Sequence, residues 1–199
     1  MPEIRNAKVV ILATHGFEQS ELLVPLTKLR EAGAGVVVAS PEKGPIRGWK
    51  EKDWGESVNV DKSLEEIKAE EYDALVLPGG QINPDLLRIN EKALSLIRSF
   101  LDAGKVVAAI CHAPWLLVEV DAVRDRQVTS YKSIKTDVIN AGGKWVDREV
   151  VTDGGIITSR NPGDLEAFTA KIIEEIEEGS HARQRAAART KPEQRPAAH

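Results

Sequence analysis

Short apolar segments rich in Val and Ile recur along the chain and alternate with segments of helical periodicity. Each apolar segment is too short for a buried helix and is bounded by turn residues, so it predicts a buried strand. The predicted strands are 8–13, 36–39, 74–77 and 106–110, and the longest predicted helices are 18–32, 91–103 and 165–178. Buried strands that alternate with helices predict a mostly parallel sheet with helices on both faces, a three-layer α/β/α sandwich.

The remaining segments extend this pattern. Short helices are predicted at 64–67, 115–120 and 134–141, a hairpin or flap at 46–54 with 57–60, and a second hairpin at 145–152 with 156–159. With 199 residues, the chain fits one α/β domain, assigned to residues 1–178. Residues 179–199 contain no Leu, Ile, Val or aromatic residue and are rich in Ala, Arg and Pro, so a disordered polar and basic tail is predicted there.

Charge and cysteine content narrow the function classes. The net charge is −4 and the pI about 5.7, which favours neither a nucleic-acid partner nor an anionic membrane surface. A single cysteine excludes an intramolecular disulfide and favours a reducing compartment. No apolar stretch is long enough to span a bilayer, and the first residues lack a signal-peptide core. We therefore expect a cytoplasmic protein.

That single cysteine, Cys111, follows the predicted strand 106–110 and precedes the helix 115–120. A strand, a tight turn and a helix form the geometry of a nucleophile elbow, here with sulfur in place of a serine oxygen. Backbone N–H groups at the start of a helix favour a thiolate, and His112 offers a base or charge partner. The alternative is a buried structural cysteine that acts as a small hydrophobe.

Two other predicted strands end in residues that suit the same chemistry. Glu18 follows the first strand, where a protonated carboxyl can hydrogen-bond the Cys111 thiolate, or an acidic residue can simply complement the helix dipole. Gly79 and Gly80 follow the strand 74–77, where they form a simple turn or present backbone N–H groups to a developing oxyanion. The predicted oxyanion pair is the N–H of Gly80 with that of His112.

Asp85 lies shortly after these glycines. It caps the next helix, or it orients the imidazole as the third member of a Cys–His–acid set. His15 is near the same sheet edge and is expected to line the site. The four histidines, at 15, 112, 181 and 199, form no metal-binding pattern with the cysteine, and no phosphate-binding glycine loop is present. The sequence therefore predicts neither a metal nor a cofactor.

Several motifs together resemble a known family. They are F-E-x-x-E-L at 17–22, L-P-G-G at 77–80, A-I-C-H-A-P at 109–114, T-S-Y at 129–131 and S-R-N-P-G-D-L at 159–165. On these residues the chain is similar to the ThiJ/PfpI superfamily over nearly all of residues 7–177. The resemblance implies a flavodoxin-like fold, similar to that of class I glutamine amidotransferases.

The branch that the chain resembles most contains PfpI-type intracellular proteases and bacterial general stress proteins. The resemblance implies that Cys111 is the nucleophile, His112 its partner and Glu18 the carboxyl that hydrogen-bonds the thiol. It also implies that an acidic residue from a neighbouring subunit contacts the histidine. The matching position is Asp85, where the family has Glu and a loop that differs by one residue. The site would then be completed in a homodimer or a higher homo-oligomer.

The resemblance implies a stress-protective, cysteine-dependent hydrolase. Two substrate classes stay open, methylglyoxal or glyoxal adducts on modified proteins, as in deglycases and glyoxalases, and peptide bonds, as in intracellular cysteine peptidases. We favour small carbonyl adducts. Two hypotheses without catalysis also stay open, namely an oxidative-stress sensor that works through oxidation of Cys111 and a chaperone-like stress protein.

Overall fold

The computed structural model describes residues 3–179 and contains a seven-stranded main sheet between two layers of helices. The strands are β1 (Lys8–Leu12), β2 (Gly35–Ser40), β3 (Ile46–Lys50), β4 (Asp53–Val58), β5 (Lys62–Ser63), β6 (Ala74–Leu77), β7 (Val106–Ile110), β8 (Gln127–Val128), β9 (Lys144–Trp145), β10 (Val150–Asp153) and β11 (Ile156–Ser159). The helices are α1 (Gln19–Glu31), α2 (Ile82–Leu87), α3 (Glu91–Asp102), α4 (Pro114–Glu119), α5 (Lys135–Asn140) and α6 (Leu165–Glu178). The predicted tail lies, except for Gly179, outside the described residues.

The main sheet has the strand order β10-β11-β7-β6-β1-β2-β5. All of its neighbouring strands are parallel except β10 and β11, which form an antiparallel hairpin. The predicted α/β fold with a mostly parallel sheet is therefore confirmed. None of the helices within residues 3–179 is long and apolar enough to cross a membrane.

Alternating side chains of the central strands build two separate cores. Val10 and Leu12 of β1 pack on one face with residues from α2, α3, α4 and α5. Val9 and Ile11 pack on the other face with residues from α1 and α6. All residues of β6 and β7 are buried, because each face of these strands is covered by helices.

A two-stranded antiparallel hairpin, β3–β4, lies beside the carboxyl end of β1. It confirms the hairpin predicted between residues 46 and 60. The Gly16 N–H donates to the Arg47 carbonyl at 2.8 Å, and the Trp49 N–H donates to the Phe17 carbonyl at 2.7 Å. These bonds attach the hairpin to the segment between β1 and α1.

Two local predictions are wrong. The segment after Gly80 is the short helix α2 rather than a loop, and Asp85 lies in its first turn instead of capping α3. The cap of α3 is Asn90, whose side chain accepts from the Ala93 N–H at 3.0 Å. The predicted strand 145–152 is also divided, because Trp145 pairs with β8 and β10 begins only at Val150.

The segments that follow β1 and β6 approach each other so closely that no side chain fits at Gly80. Gly80 has φ of +84°, and a Cβ there would lie 2.5 Å from the Gly16 carbonyl oxygen and 2.7 Å from the Glu18 nitrogen. Only glycine satisfies both the backbone conformation and this separation.

We predict that Gly80→Ala lowers the free energy of unfolding by about 3 kcal/mol or more, since strain at positive φ and overpacking add. Gly104→Ala is the matched control, because Gly104 also has positive φ (+64°) but a Cβ there meets nothing within 4 Å. It should cost only about 1 kcal/mol. Urea unfolding measures both. Equal losses would show that close approach at Gly80 is not what requires glycine.

Candidate active site

Cys111 follows β7 directly and occupies the turn before α4, so the predicted strand–turn–helix elbow is present. Its φ is +64°, in the left-handed region that a side chain disfavours. The Cys111 N–H donates to the Ser159 carbonyl at 3.0 Å, and the Cys111 carbonyl accepts from the Tyr131 N–H at 2.8 Å. These two bonds hold the strained backbone and place the sulfur at the sheet edge, where the side chain is 6% exposed.

His112 faces the thiol despite being its neighbour in sequence. Its Nδ1 lies 3.1 Å from the Cys111 sulfur, and its Nε2 lies 3.1 Å from Ser133 Oγ. The ring stacks on Tyr131, with centroids 4.9 Å apart. Burial lowers the pKa of His112, which favours the neutral ring. A neutral ring with its proton on Nε2 donates to Ser133 and leaves Nδ1 free to accept the thiol proton.

The carboxyl beside the thiol belongs to Glu21. Its Oε2 accepts from the Gly79 N–H at 2.8 Å. Its Oε1 is buried without another hydrogen-bond partner in residues 3–179, and the carboxyl lies within hydrogen-bonding reach of Cys111. Burial raises the pKa of Glu21 to about 8, and the nearby Glu18 carboxylate contributes. Glu21 is therefore protonated at neutral pH and can donate to sulfur.

The prediction that Glu18 pairs with the thiol is wrong. Helix α1 begins at Gln19, so Glu18 precedes it, accepts from the Ser20 hydroxyl at 3.2 Å and lines the cavity mouth. Glu21 lies one turn further on, beside the buried Leu22. The helical spacing of the apolar positions does not identify Glu21, because Glu18 lies four residues before the buried Leu22 and fits the same spacing better.

The sulfur is not stabilised as a thiolate to the extent expected. Burial is the largest influence and raises the pKa of Cys111, and a charged Glu21 raises it further. Hydrogen bonds from the Gly80 and His112 N–H groups oppose this effect without overcoming it. Cys111 and Glu21 therefore titrate as a coupled pair that retains protons near neutral pH. A thiolate then requires proton transfer to His112.

The two glycines after β6 have different positions in the site. The Gly80 N–H points at the sulfur together with the His112 N–H, which is the arrangement expected of the predicted oxyanion pair. The Gly79 N–H is instead bound to Glu21, and its carbonyl accepts from the Glu18 N–H at 3.3 Å. Gly79 thus supports the site from behind, and Gly80 lines it.

Two predicted site residues, Asp85 and His15, do not line the cavity that contains the thiol. Asp85 is exposed on α2 and does not line the cavity, and the outer nitrogen of His112 faces Ser133. A contact from Asp85 of a neighbouring subunit stays a prediction. The prediction that His15 lines the site is wrong, because its Nδ1 accepts from the Arg47 N–H at 3.1 Å and its Nε2 faces Glu42.

The thiol opens into a cavity of about 550 Å³. Besides the residues already described, it is lined by Gly16, Trp49, Glu51, Gln81, Ile82, Tyr131 and Pro162. Within residues 3–179, no group of three His, Cys, Asp or Glu side chains is placed to hold a metal ion. The arrangement offers a sulfur nucleophile, a neutral base, a neutral acid and two convergent N–H donors, which suit attack on an electrophilic carbon.

A doubly covered parallel sheet with a cysteine elbow, an adjacent histidine and a buried glutamate defines a class of cysteine-centred α/β proteins. A family model described as "DJ-1/PfpI family" matches residues 7–175. The chain belongs to the DJ-1/PfpI family, as the sequence motifs predicted.

Individual relatives agree with this assignment. Deglycase PfpI of Pyrococcus furiosus is 45% identical over 166 residues, which cover 83% of this chain and 97% of the relative. Protein/nucleic acid deglycase 2 of Escherichia coli is 42% identical over 171 residues, which cover 84% and 96%. The crystal structure of Drosophila melanogaster DJ-1beta aligns with a TM-score of 0.79 at 30% identity, covering 92% of this chain and 96% of that one.

The Ser133 contact leads to a prediction about thiol reactivity. Ser133→Ala removes the partner of His112 Nε2, so Nδ1 becomes less basic and the ring less fixed. We expect the rate of Cys111 alkylation by iodoacetamide to fall about two- to tenfold, and its pH profile to shift, because one hydrogen bond contributes about 1 kcal/mol. Ser133→Thr keeps the hydroxyl and should restore the rate.

The same alkylation assay shows whether Ser133 or Asp85 positions the His112 ring. If Ser133 alone positions the His112 ring, iodoacetamide should alkylate Cys111 in Asp85→Ala at the wild-type rate. A fall with Asp85→Ala, and none with Ser133→Ala, would assign the positioning to a neighbouring subunit and contradict the role of Ser133.

The buried Glu21 leads to a prediction about stability. Its carboxyl has the ordinary pKa of 4.5 when exposed and about 8 when folded, so between these pH values the folded state holds the extra proton. Raising the pH therefore favours unfolding. We expect the free energy of unfolding to fall between about pH 5 and about pH 8 in the wild type, and this contribution to be absent in Glu21→Gln.

Urea unfolding across this range measures the slope. Glu31→Gln, which removes an exposed carboxyl from the same helix, should retain the wild-type slope. Parallel slopes for wild type and Glu21→Gln would contradict a protonated Glu21.

Proposed function

We propose that this protein is a cysteine-dependent hydrolase that removes small dicarbonyl adducts, those of methylglyoxal and glyoxal, from modified side chains. The cluster of Cys111, His112 and Glu21 at the floor of a 550 Å³ cavity carries the proposal. A cavity of this size suits a small adduct on one side chain better than a folded segment of protein. The relatives named deglycases support the same substrate class.

The first step exchanges nitrogen for sulfur on the adduct carbon. The thiol proton moves to Nδ1 of His112 as sulfur bonds to the carbon that carries the amine. The carbon–nitrogen bond breaks, and the leaving amine takes the proton from His112. The products are a free amine and a hemithioacetal on Cys111.

The second step is an internal oxidation and reduction that needs no external oxidant. A proton leaves the carbon that bears the sulfur, which gives an enediol, and a proton is then added to the neighbouring carbon. The first carbon thereby becomes a thioester, and the adjacent carbonyl becomes an alcohol. The N–H groups of Gly80 and His112 hold the developing oxyanion. Water then cleaves the thioester, releases a hydroxy acid and restores the thiol.

The test uses Nα-acetyl-arginine modified with methylglyoxal and freed of unreacted reagent. The wild type should release lactate and unmodified Nα-acetyl-arginine in equal amounts. Cys111→Ala should lower this rate at least about a hundredfold, since it removes the nucleophile. Chromatography of both products measures the reaction, and heat-inactivated protein controls for spontaneous reversal of the adduct.

Other outcomes would replace the proposal. Peptide cleavage without lactate release would indicate a peptidase. If neither peptide cleavage nor lactate release is found and peroxide oxidises the Cys111 sulfur, the result would indicate a redox sensor. The raised pKa of Cys111 argues against the sensor, because oxidation is fastest for exposed thiolates.

We also propose a homo-oligomer in which a neighbouring subunit covers α2. Leu86 and Ile89 are exposed beside Asp85, with 46% and 80% of their surface accessible, and such apolar exposure favours an interface. Sedimentation of the wild type and Asp85→Ala, together with the alkylation rates, tests this assembly. A cytoplasmic location stays a prediction from the single thiol.

A further inference from the structure

The mouth of the active-site cavity combines an aromatic ring with two carboxylates. Trp49 and Glu51 from the β3–β4 hairpin and Glu18 from the start of α1 line the cavity above the thiol. Lys50 and Lys52 flank Glu51 in sequence but do not line the cavity, and no lysine or arginine of residues 3–179 lines it. The mouth is therefore acidic, although both signs of charge are common elsewhere on the chain.

Backbone contacts hold this part of the hairpin in position. The Trp49 N–H donates to the Phe17 carbonyl at 2.7 Å, and the indole Nε1 donates to the Glu51 carbonyl at 3.1 Å. Glu51 itself has φ of +57°, a conformation fixed by the hairpin turn. The Trp49 ring is thus held by hydrogen bonds, and the backbone of Glu51 is held by the hairpin turn.

Two arginines, Arg47 and Arg160, are engaged outside the cavity. The Arg47 guanidinium lies 5.8 Å from the Trp54 ring centroid and donates to a backbone carbonyl. Arg160 forms ion pairs with Asp147 at 2.7 Å and with Asp164 at 2.9 Å. Neither neutralises the carboxylates at the cavity mouth through a direct ion pair.

The floor of the cavity also carries a carboxyl group. Glu21 lines the same cavity, and its Oε1 is buried without another hydrogen-bond partner in the described residues. A ligand that enters therefore meets the neutral Glu21 carboxyl and the N–H groups of Gly80 and His112 near the sulfur, and the carboxylates of Glu18 and Glu51 with the Trp49 indole in the same cavity. The part of the lining formed by Glu18, Glu51 and Trp49 favours a cation rich in N–H groups and disfavours an anion.

We propose that Trp49, Glu51 and Glu18 form a subsite for a guanidinium group, so that the preferred substrate is an adduct carried by arginine. This inference rests on the proposed function. A guanidinium is planar, stacks on aromatic rings and donates to carboxylates through a fixed fork. Adducts of cysteine carry no such charge, and a free dicarbonyl carries none at all, so neither gains from the subsite.

The test compares two substrates in the same variants. The wild type should process the methylglyoxal adduct of Nα-acetyl-arginine amide with a higher kcat/KM than free methylglyoxal. Glu51→Gln and Glu18→Gln should each lower kcat/KM for the arginine adduct about three- to tenfold, mainly through KM, because each removes one partly exposed ion pair. For Glu51→Gln, kcat/KM for free methylglyoxal should stay at the wild-type value. Glu18→Gln also removes a charge that helps to raise the pKa of Glu21, so it is compared through the ratio of kcat/KM for the two substrates.

Asp53→Asn is the matched control, since it removes a carboxylate from the same hairpin outside the cavity. It should leave kcat/KM unchanged for both the arginine adduct and free methylglyoxal. Added salt should reduce the preference of the wild type for the arginine adduct, because the ion pairs lie at the cavity mouth.

A binding measurement separates this inference from the proposed function. Nα-acetyl-arginine amide should bind Cys111→Ala in calorimetry, and Glu51→Gln on that background should weaken binding about three- to tenfold. If the wild type turns over the adduct and both Glu51→Gln and Glu18→Gln keep its ratio of kcat/KM for the arginine adduct to kcat/KM for free methylglyoxal, the subsite alone is overturned. Binding of the arginine compound without turnover of any adduct would support the subsite and overturn the hydrolase. Absence of binding would overturn the subsite.

Discussion

The backbone of Cys111 is the constraint on which the site depends. A residue with a side chain in the left-handed region is strained by about 1–2 kcal/mol, and this strain persists only where neighbouring structure fixes it. Here the Ser159 carbonyl and the Tyr131 N–H bind the peptide groups of Cys111 from two sides. The same conformation directs the sulfur toward the converging ends of β1 and β6, where a side chain on Gly80 would collide with backbone.

Burial decides the charge state of this site. The N–H groups at the sulfur favour an anion, but the loss of water at Cys111 and Glu21 outweighs them. His112, also buried, favours the neutral form. The resting site is therefore a set of neutral groups joined by hydrogen bonds. Charge appears only when the sulfur attacks, and the fixed N–H dipoles are then already oriented toward it, which is the condition for electrostatic stabilisation of a transition state.

Much of the fold was predictable because its signals are local. The apolar strands, the hairpins and the elbow at Cys111 follow from periodicity and turn residues within short windows. The resemblance assigns the carboxyl beside the thiol to Glu18, but Glu18 precedes the first turn of α1 and Glu21 occupies that place. Helical spacing does not separate the two, since Glu18 lies four residues before the buried Leu22. The contact between Ser133 and His112 carries no sequence signal, since a single serine in a short 3₁₀ turn matches no pattern until tertiary structure brings it to the ring.

The floor and the mouth of the cavity are held by different kinds of constraint. The floor consists of strand ends where Gly79, Gly80 and Cys111 pack backbone against backbone, so few substitutions fit there. The mouth consists of Glu18 and of Trp49 and Glu51 on a hairpin, and the hairpin is attached by backbone bonds that do not depend on residue type. Trp49 and Glu51 can therefore be exchanged without disturbing the sulfur. Such a division lets the chemistry stay fixed while the choice of substrate changes.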